Sequence, residues 1–378
     1  MGNKIYLPHA DQFDRMNEYL RLIAKGIGSQ VDITTWAGIQ KAVRAGIAPD
    51  ILPIGTQLLV HHSVYGDHLY DVVAHNYFKS VHDENAPTMT LLCHDIIDGV
   101  QFDAPEAFYY ADEALPAGTY NFTLTETYSS WAAGTYQFAL AQTLPKGGQL
   151  AISGYADAAM TARQVRAFAS RTATTATESV AITSGAGGTS LGTFGTALNH
   201  VQRVSYGSNN YKESAIRQFL NSPSAAGSVW TPQTKFDRPP SWMTSLEGFA
   251  AGFDDEFLAV VGEVVVPCST NNTYESPDSA VVKGMPYTVT DRFYLASQSE
   301  IFGTTSSIVV DNSVLFPYYE GAANADRIKY KNGSVAYWWL RSAYSWVANS
   351  VHIASSDGSL NYYSAVSAGG CVPACTIL

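Results

Sequence analysis

The residues best suited to chemistry crowd into one stretch. His61, His62, His68, His75, His82 and His94, six of the nine histidines, fall within residues 61–95 with Asp67, Asp71, Asp83 and Asp95 among them. Imidazole and carboxylate are the ligands that zinc or a non-haem metal takes. A metal-dependent enzyme built on the 61–95 region is therefore one reading of the chain. The spacing argues against it. There is no His-Glu-x-x-His and no paired Cys, and His61 and His62, consecutive on a strand, point to opposite faces. Polar faces and loops account for the same cluster. Elsewhere, Gly185-Ala186-Gly187-Gly188 lacks the Lys-Ser/Thr that a phosphate-binding loop requires. Asp98, Asp103 and Glu106 surround Pro105 in what reads as a structured turn. The chain is read as a non-enzyme, with no catalytic residue, no metal and no cofactor assigned.

The elements around these residues are short. Residues 11–27 place Phe13, Met16, Leu20, Ile23 and Ile27 at spacings of three and four, one face of a helix. A second helix is expected after Thr34 or Thr35, using Trp36, Ile39, Val43 and Ile47, and Pro49 and Pro53 should end it. Residues 1–50 thus form a helical segment for attachment or oligomerisation, whose apolar stripe either packs on its own domain or joins copies into a homo-oligomer such as a trimer. From Gly55 the period changes to two: Gln57–Val60, Leu69–Val73 and Met89–Leu92 read as strands. Gly118-Thr119-Tyr120-Asn121-Phe122-Thr123-Leu124 recurs as Gly134-Thr135-Tyr136-Gln137-Phe138-Ala139-Leu140, which suggests equivalent strands of a small sandwich. Residues 51–190 are read as this β-rich domain. The run Thr172–Thr193, most glycine-rich at Ser184–Thr189, marks a domain junction. Residues 191–378 form a third unit, with a helix over Ser214–Asn221 and strands at Ala259–Val266 and Arg292–Ala296. The class is α+β.

Composition narrows the function. Charged residues are 15% of 378, against 23 Tyr and 7 Trp, a balance that suits an extracellular or virion protein better than a cytosolic enzyme. A net charge of −11 argues against a nucleic-acid partner. No stretch reaches the ~18 apolar residues that a membrane span needs, so no membrane insertion is expected. Met1–Tyr6 has no secretory apolar region, so an exported role calls for another route, such as release in a phage particle. Four cysteines cannot make a disulfide framework in a chain this long. On one strand, Cys371 and Cys375 would stand about 13 Å apart, beyond bonding reach. They read as small buried apolar residues.

The C-terminal stretch has a different alphabet. Between Ala343 and Gly370 lie seven Ser, five Ala, three Tyr, three Gly and two Asn, with no Lys, Arg, Glu, Gln or Met. Tyr supplies rigid contact area, and Ser, Gly and Asn supply adaptable hydrogen bonds, as in an antibody paratope. The frame around it is heavier. Trp338 and Trp339 anchor a strand with Leu340, and Arg341, with five donors and no acceptor, is suited to tying down loop carbonyls or a carboxylate.

Four pieces of this half carry a resemblance: Tyr211–Ser214 leading into Ile216–Asn221; Phe293-Tyr294-Leu295-Ala296-Ser297-Gln298-Ser299-Glu300; Trp338-Trp339-Leu340-Arg341-Ser342; and Asp357-Gly358-Ser359-Leu360 ahead of Val372-Pro373-Ala374. Together they span roughly residues 195–378, which resembles a family of domains from phages and gut bacteria that includes variable proteins of diversity-generating retroelements. Ala343 and Val372 depart from its usual Pro and basic residue. The resemblance implies a C-type lectin-like fold in the calcium-independent form of phage tropism determinants, with a variable region at about 343–370. It implies a receptor-binding function, with a host-cell surface protein or glycan as partner and a phage tail or bacterial surface as location. A non-diversified adhesin or lectin of the same fold is the alternative. Adenine rewriting of an Asn codon cannot produce Lys, Glu, Gln, Met or Trp; Trp346 must come from another codon or belong to the frame. The implied binding residues are Tyr344, Ser345, Trp346, Asn349, Ser350, His352, Asn361, Tyr362, Tyr363 and Ser364, expected on one exposed face. Trp338, Trp339, Leu340, Arg341, Gly358 and Pro373 are the implied frame.

Overall fold

A computed structural model describes residues 31–104, 108–111, 113–125, 127, 132–152, 163–170, 173, 175–193, 201–204, 209–232, 239–269, 286–303, 313–344 and 350–378. Thr35 starts the first described helix, α1 (Trp36–Arg44), by accepting the Gly38 N–H on its hydroxyl at 3.1 Å, one of the donors a helix start leaves orphaned. Lys41 and Arg44 in the last turn complement its dipole. Ile39, Ala42 and Val43 face inward, and Trp36 lies 4.7 Å from Phe257 between ring centroids. Pro49 sits in the first turn of α2 (Ala48–Ile51), where its missing N–H costs nothing. The proline expected to end a helix thus opens one. Both helices bury their apolar faces in a core shared with residues 211–377. Residues 36–50 are therefore integral to the main domain and not part of a separate attachment segment. The helix expected over 11–27 lies outside the described residues.

The main domain is assembled from both ends of the chain. Early in sequence come β1 (Gln57–His62), β2 (Gly66–His75), β3 (Met89–Cys93) and β4 (Asp98–Gln101). Every residue of β3 is buried, so it must lie inside a sheet. Its second neighbour comes from the C-terminus, and the sheet order is β1-β2-β3-β23-β16, with β16 (Phe293–Leu295) and β23 (Pro373–Ile377). The register sets Leu91 opposite Cys375 and Phe293 on the other side of Cys375. A second five-stranded sheet runs β21-β20-β19-β22-β4, from β19 (Trp338–Ala343), β20 (Ser350–Ala354), β21 (Leu360–Ser364) and β22 (Ala368–Cys371). Here Asp98 of β4 opposes Cys371.

Between β4 and the next helix the chain builds a second core. β5 (Phe108–Ala111), β8 (Gln149–Ile152), β9 (Gln164–Phe168), β10 (Glu178–Ala181) and β13 (Val201–Val204) form one sheet. β6 (Gly118–Leu124), β7 (Gly134–Leu140), β11 (Thr183–Ser184) and β12 (Thr189–Thr193) form the other. Side chains of both, among them Phe122, Phe138, Leu150 and Val165, share one cluster. The β-rich unit is thus an insertion over 108–204, where 51–190 was expected; β1–β4 belong to the main domain. The two repeat copies pair with each other, Tyr120 opposite Phe138 and Phe122 opposite Tyr136. Their rings stack at 5.9 and 6.1 Å, a cross-strand arrangement that stabilises antiparallel pairs.

The glycine-rich stretch expected at a domain junction is laced onto this sheet. Asn121 Nδ2 donates to the Gly187 carbonyl at 3.0 Å, and the Gly187 N–H donates to Gln137 Oε1 at 2.8 Å. Gly188 has φ +77°, and a Cβ there would lie 1.9 Å from the Thr119 carbonyl oxygen. The glycines serve close approach, not flexibility.

The remaining elements are α3 (Ala215–Asn221), α4 (Asp255–Val260), the hairpin of β14 (Val264–Ser269) and β15 (Pro286–Asp291), α5 (Gln298–Phe302), and the hairpin of β17 (Lys329–Lys331) and β18 (Ser334–Ala336). Ser214 caps α3 and Asp254 caps α4. The strand expected from Ala259 begins instead at Val264, because Asp254 starts a helix that runs through Val260. Strand outweighs helix, so the fold is β-rich and α+β. All four cysteines are free and buried, and burial pushes the thiols of Cys93 and Cys268 up to about 12. No described helix is long and apolar enough to cross a membrane.

Candidate functional site

The frame of the C-terminal sheet is β19, buried along its whole length. Trp338 Nε1 donates to the Arg327 carbonyl at 3.0 Å and Trp339 Nε1 to that of Val100 at 2.8 Å, so neither indole leaves a buried donor unpaired. Arg341 is fully buried beside Glu300, also fully buried, and meets both carboxylate oxygens. It donates further to the carbonyls of Leu295 and Pro267, each at 2.8 Å, and to Ser313 Oγ at 3.2 Å. Such a pair is tolerable in a core only when the remaining donors are satisfied, as they are here.

The sequence pieces that stood out are the parts of this brace. Glu300 supplies the partner of Arg341, and its backbone N–H and carboxylate close a capping box with Ser297 at the start of α5. Ser342 Oγ accepts the Gln298 N–H at 2.9 Å. Asn221, at the end of α3, donates to the Phe293 carbonyl at 2.8 Å and accepts the N–H of Arg292 at 3.0 Å. The Tyr211 hydroxyl accepts the Leu295 N–H at 3.3 Å. Gly358 has φ +77°, and a Cβ on it would stand 1.7 Å from the Asn324 carbonyl oxygen, so no larger residue fits. Leu340 and Pro373 are buried, and Pro373 lies opposite Leu295.

The binding residues read from sequence are divided by the structure. Ser345, Trp346 and Asn349 lie outside the described residues. Asn361, Tyr362 and Tyr363 are exposed on β21, the end strand of its sheet, and Tyr344 and Ser364 are half-buried. Ser350 and His352 are buried at 8% exposure, contrary to the expectation for both. The cause is position: β20 lies between β19 and β21, and all five of its residues are covered. Asn209 Nδ2 donates to the Ser350 carbonyl at 3.0 Å. Burial pushes His352 down to about 4, only partly opposed by its 3.3 Å contact with the Asn361 carbonyl.

Nor do the described ones share a single exposed face. His352 opposes Tyr362 and Val351 opposes Tyr363, so the adjacent tyrosines of β21 point to opposite sides of the sheet. Each ends a file of rings that runs inward. On one side Tyr362 stacks on Tyr344 at 3.7 Å with planes 9° apart, and Tyr344 meets His352 edge-on at 5.5 Å. On the other, Tyr363 lies 5.0 Å from Tyr337, Tyr337 lies 5.7 Å from Trp339, and Trp339 lies 5.8 Å from Phe102. Sequence reasoning missed Tyr337; the signal was there, two residues before Trp339 and so on the same side of the strand. The chemistry at this edge is stacking and neutral hydrogen bonding. Asp357 is the one acidic residue from 343 to 370, and its carboxylate is held by the backbone N–H and the hydroxyl of Ser359.

The histidines do not converge. His62 is sandwiched between Phe249 and Phe253, donates from Nε2 to the Phe249 carbonyl at 2.9 Å and accepts the Val64 N–H on Nδ1 at 3.1 Å. His75 contacts the Leu52 carbonyl at 3.0 Å and His68 that of Tyr65, also at 3.0 Å. Burial lowers both His62 and His75. His61 pairs with Asp67 at the surface at 2.7 Å, and His94 pairs with the buried carboxylate of Asp71 at 2.8 Å. Among the described residues no three His, Cys, Asp or Glu side chains gather as a metal ion requires. Gly188-Thr189-Ser190-Leu191-Gly192 spells Gly-x-Ser-x-Gly, a second signal that sequence reasoning missed. Ser190 lies within β12 and its hydroxyl accepts the Gly192 N–H at 3.3 Å. It is not on the strand-to-helix turn that lifts a nucleophile.

Residues 195–378 match a protein family described only as a domain of unknown function, DUF6273. The matched segment holds β13–β23, whereas the strands completing both of its large sheets, β1–β4, precede it. No curated protein and no solved structure matches the chain.

Proposed function

We propose that the chain is a receptor-binding protein whose C-terminal part displays a ligand-binding edge, and that it is a retroelement-diversified variable protein, phage-encoded and acting at a host-cell surface. The observation that carries this reading is β21. It presents Asn361, Tyr362 and Tyr363 to solvent at the end of a sheet whose inner strands are buried and cross-braced. Stacking rings and neutral polar groups on a rigid support make a contact surface that tolerates exchange of side chains. The reading takes the main domain as C-type lectin-like. In its support stand the terminal strand paired back into a sheet and the loop-bearing strands β19–β22 gathered in a second one. The expected flat face gives way to an edge with a tyrosine pair on each side.

Two measurements test this. Fluorescently labelled chain is incubated with a panel of bacterial cells and scored by flow cytometry; saturable binding to some strains is expected, and its loss on replacing Tyr344, Tyr362 and Tyr363 with Ser. Binding unchanged in that variant removes the site. The DNA beside the gene tests diversification: a reverse transcriptase and a template repeat mismatched only at adenines are expected, and their absence leaves a non-diversified adhesin.

A further inference from the structure

We infer that the open edge of β21 receives an extended polypeptide as an added strand, so that the partner is a protein segment read through its main chain. This rests on the display reading above and specifies its partner. β21 ends the order β21-β20-β19-β22-β4, and among the described residues no strand pairs with its outer side. An unpaired strand edge offers a row of N–H and C=O groups that another strand satisfies best.

Elsewhere the same molecule closes such an edge. β16 ends the other large sheet, and side chains occupy its free backbone groups: Asn221 takes the N–H and carbonyl of Phe293, and Tyr211 takes the N–H of Leu295. Among the described residues β21 has no comparable cover. Leu360–Ser364 contains no Pro, no Lys and no other charge, the usual devices against strand addition. Among the described residues the Tyr362 N–H is held by the side chain beside it, donating to Asn361 Oδ1 at 2.9 Å. That exposed amide is displaceable by an incoming carbonyl. β1 also ends a sheet, but Val60 and His62 are buried, so an added strand there would find only one open side.

The two tyrosine pairs supply the specificity. A strand laid along β21 would sit about 4.8 Å away with its side chains alternating between the two sheet faces. One set would meet Tyr362, backed by Tyr344, and the other Tyr363, backed by Tyr337. Two rings on each side of an open edge match a segment with bulky apolar side chains on both of its faces. A sugar could stack on a tyrosine but would make no use of the edge.

The test uses the full chain as bait for a phage-displayed library of random linear heptapeptides. Recovered peptides are expected to carry large apolar residues at alternating positions. Their affinity should fall at least tenfold in Tyr362→Pro, which removes an outer N–H, and in Asn361→Lys, which places a charge at the edge. Thermal melting identifies a variant that has lost its fold, and Asn361→Lys, a surface change, keeps the test valid if the proline variant does not fold. Recovery of no linear peptide, or equal affinity for wild type, Tyr362→Pro and Asn361→Lys, overturns the inference. Cell binding distinguishes the two levels. If the triple Ser variant loses cell binding while no peptide is recovered, the display edge stands and strand addition falls. If cell binding is insensitive to the tyrosines, the display reading falls first.

Discussion

β19 and β21 lie two strands apart in one sheet and answer to opposite demands. In β19 every side chain from Trp338 to Ala343 is buried, each indole N–H and each guanidinium donor has a partner, and the strand is tied to α5 through Glu300. In β21 three consecutive residues face solvent, and a stacked tyrosine is held by little more than its neighbour. The contrast teaches where sequence is free to change. Substitution in β19 must break packing and buried charge together, whereas substitution in β21 alters what the edge presents and little else.

The sharpest way to break the comparison is at the buried ion pair. Arg341→Met leaves Glu300 charged and unpaired in the core, and removing one partner of such a pair costs about 3–5 kcal/mol. Urea unfolding should show that loss, and adding Glu300→Gln should recover part of it. Trp338→Ala and Trp339→Ala should each cost about 3–5 kcal/mol, as truncated buried aromatics do. A wild-type melt for either would remove that indole from the frame.

A smaller effect separates β20 from both. His352 is held near 4 by burial, below its ordinary 6.5, so the unfolded chain binds the extra proton between those values and the native state does not. Stability from this group is complete above about pH 6.5 and is lost progressively as pH falls toward 4, by roughly 3 kcal/mol at most. Replacing His352 with Gln should flatten the pH dependence of unfolding over that window. Part of the slope should survive, because burial also lowers His62 and His75.

Local signals were legible in the sequence. Thr35 before Trp36 and Ser214 before Ala215 announced α1 and α3, and the Gly-Thr-Tyr repeat announced β6 and β7. The four C-terminal pieces stood out by residue type, but nothing local says that Glu300 and Arg341, 41 residues apart, meet. The domain limits were not legible. β3 reads as any short apolar strand, and nothing local says that its partner is β23, near the far end of the chain. Ser350 and His352 read as surface residues by type, and only the order of strands buries them. The opposed faces of Tyr362 and Tyr363 follow from a period of two once both are known to lie in a strand.

The smallest expected change in stability accompanies the largest expected change in binding, and that pairing is the most direct measurement of the central claim. Tyr362→Ser and Tyr363→Ser combined should unfold within about 0.5 kcal/mol per site of wild type, as surface substitutions do. The same variant should lose binding to cells that the unaltered chain labels. A stable fold with undiminished cell binding would contradict the assignment of ligand recognition to this edge.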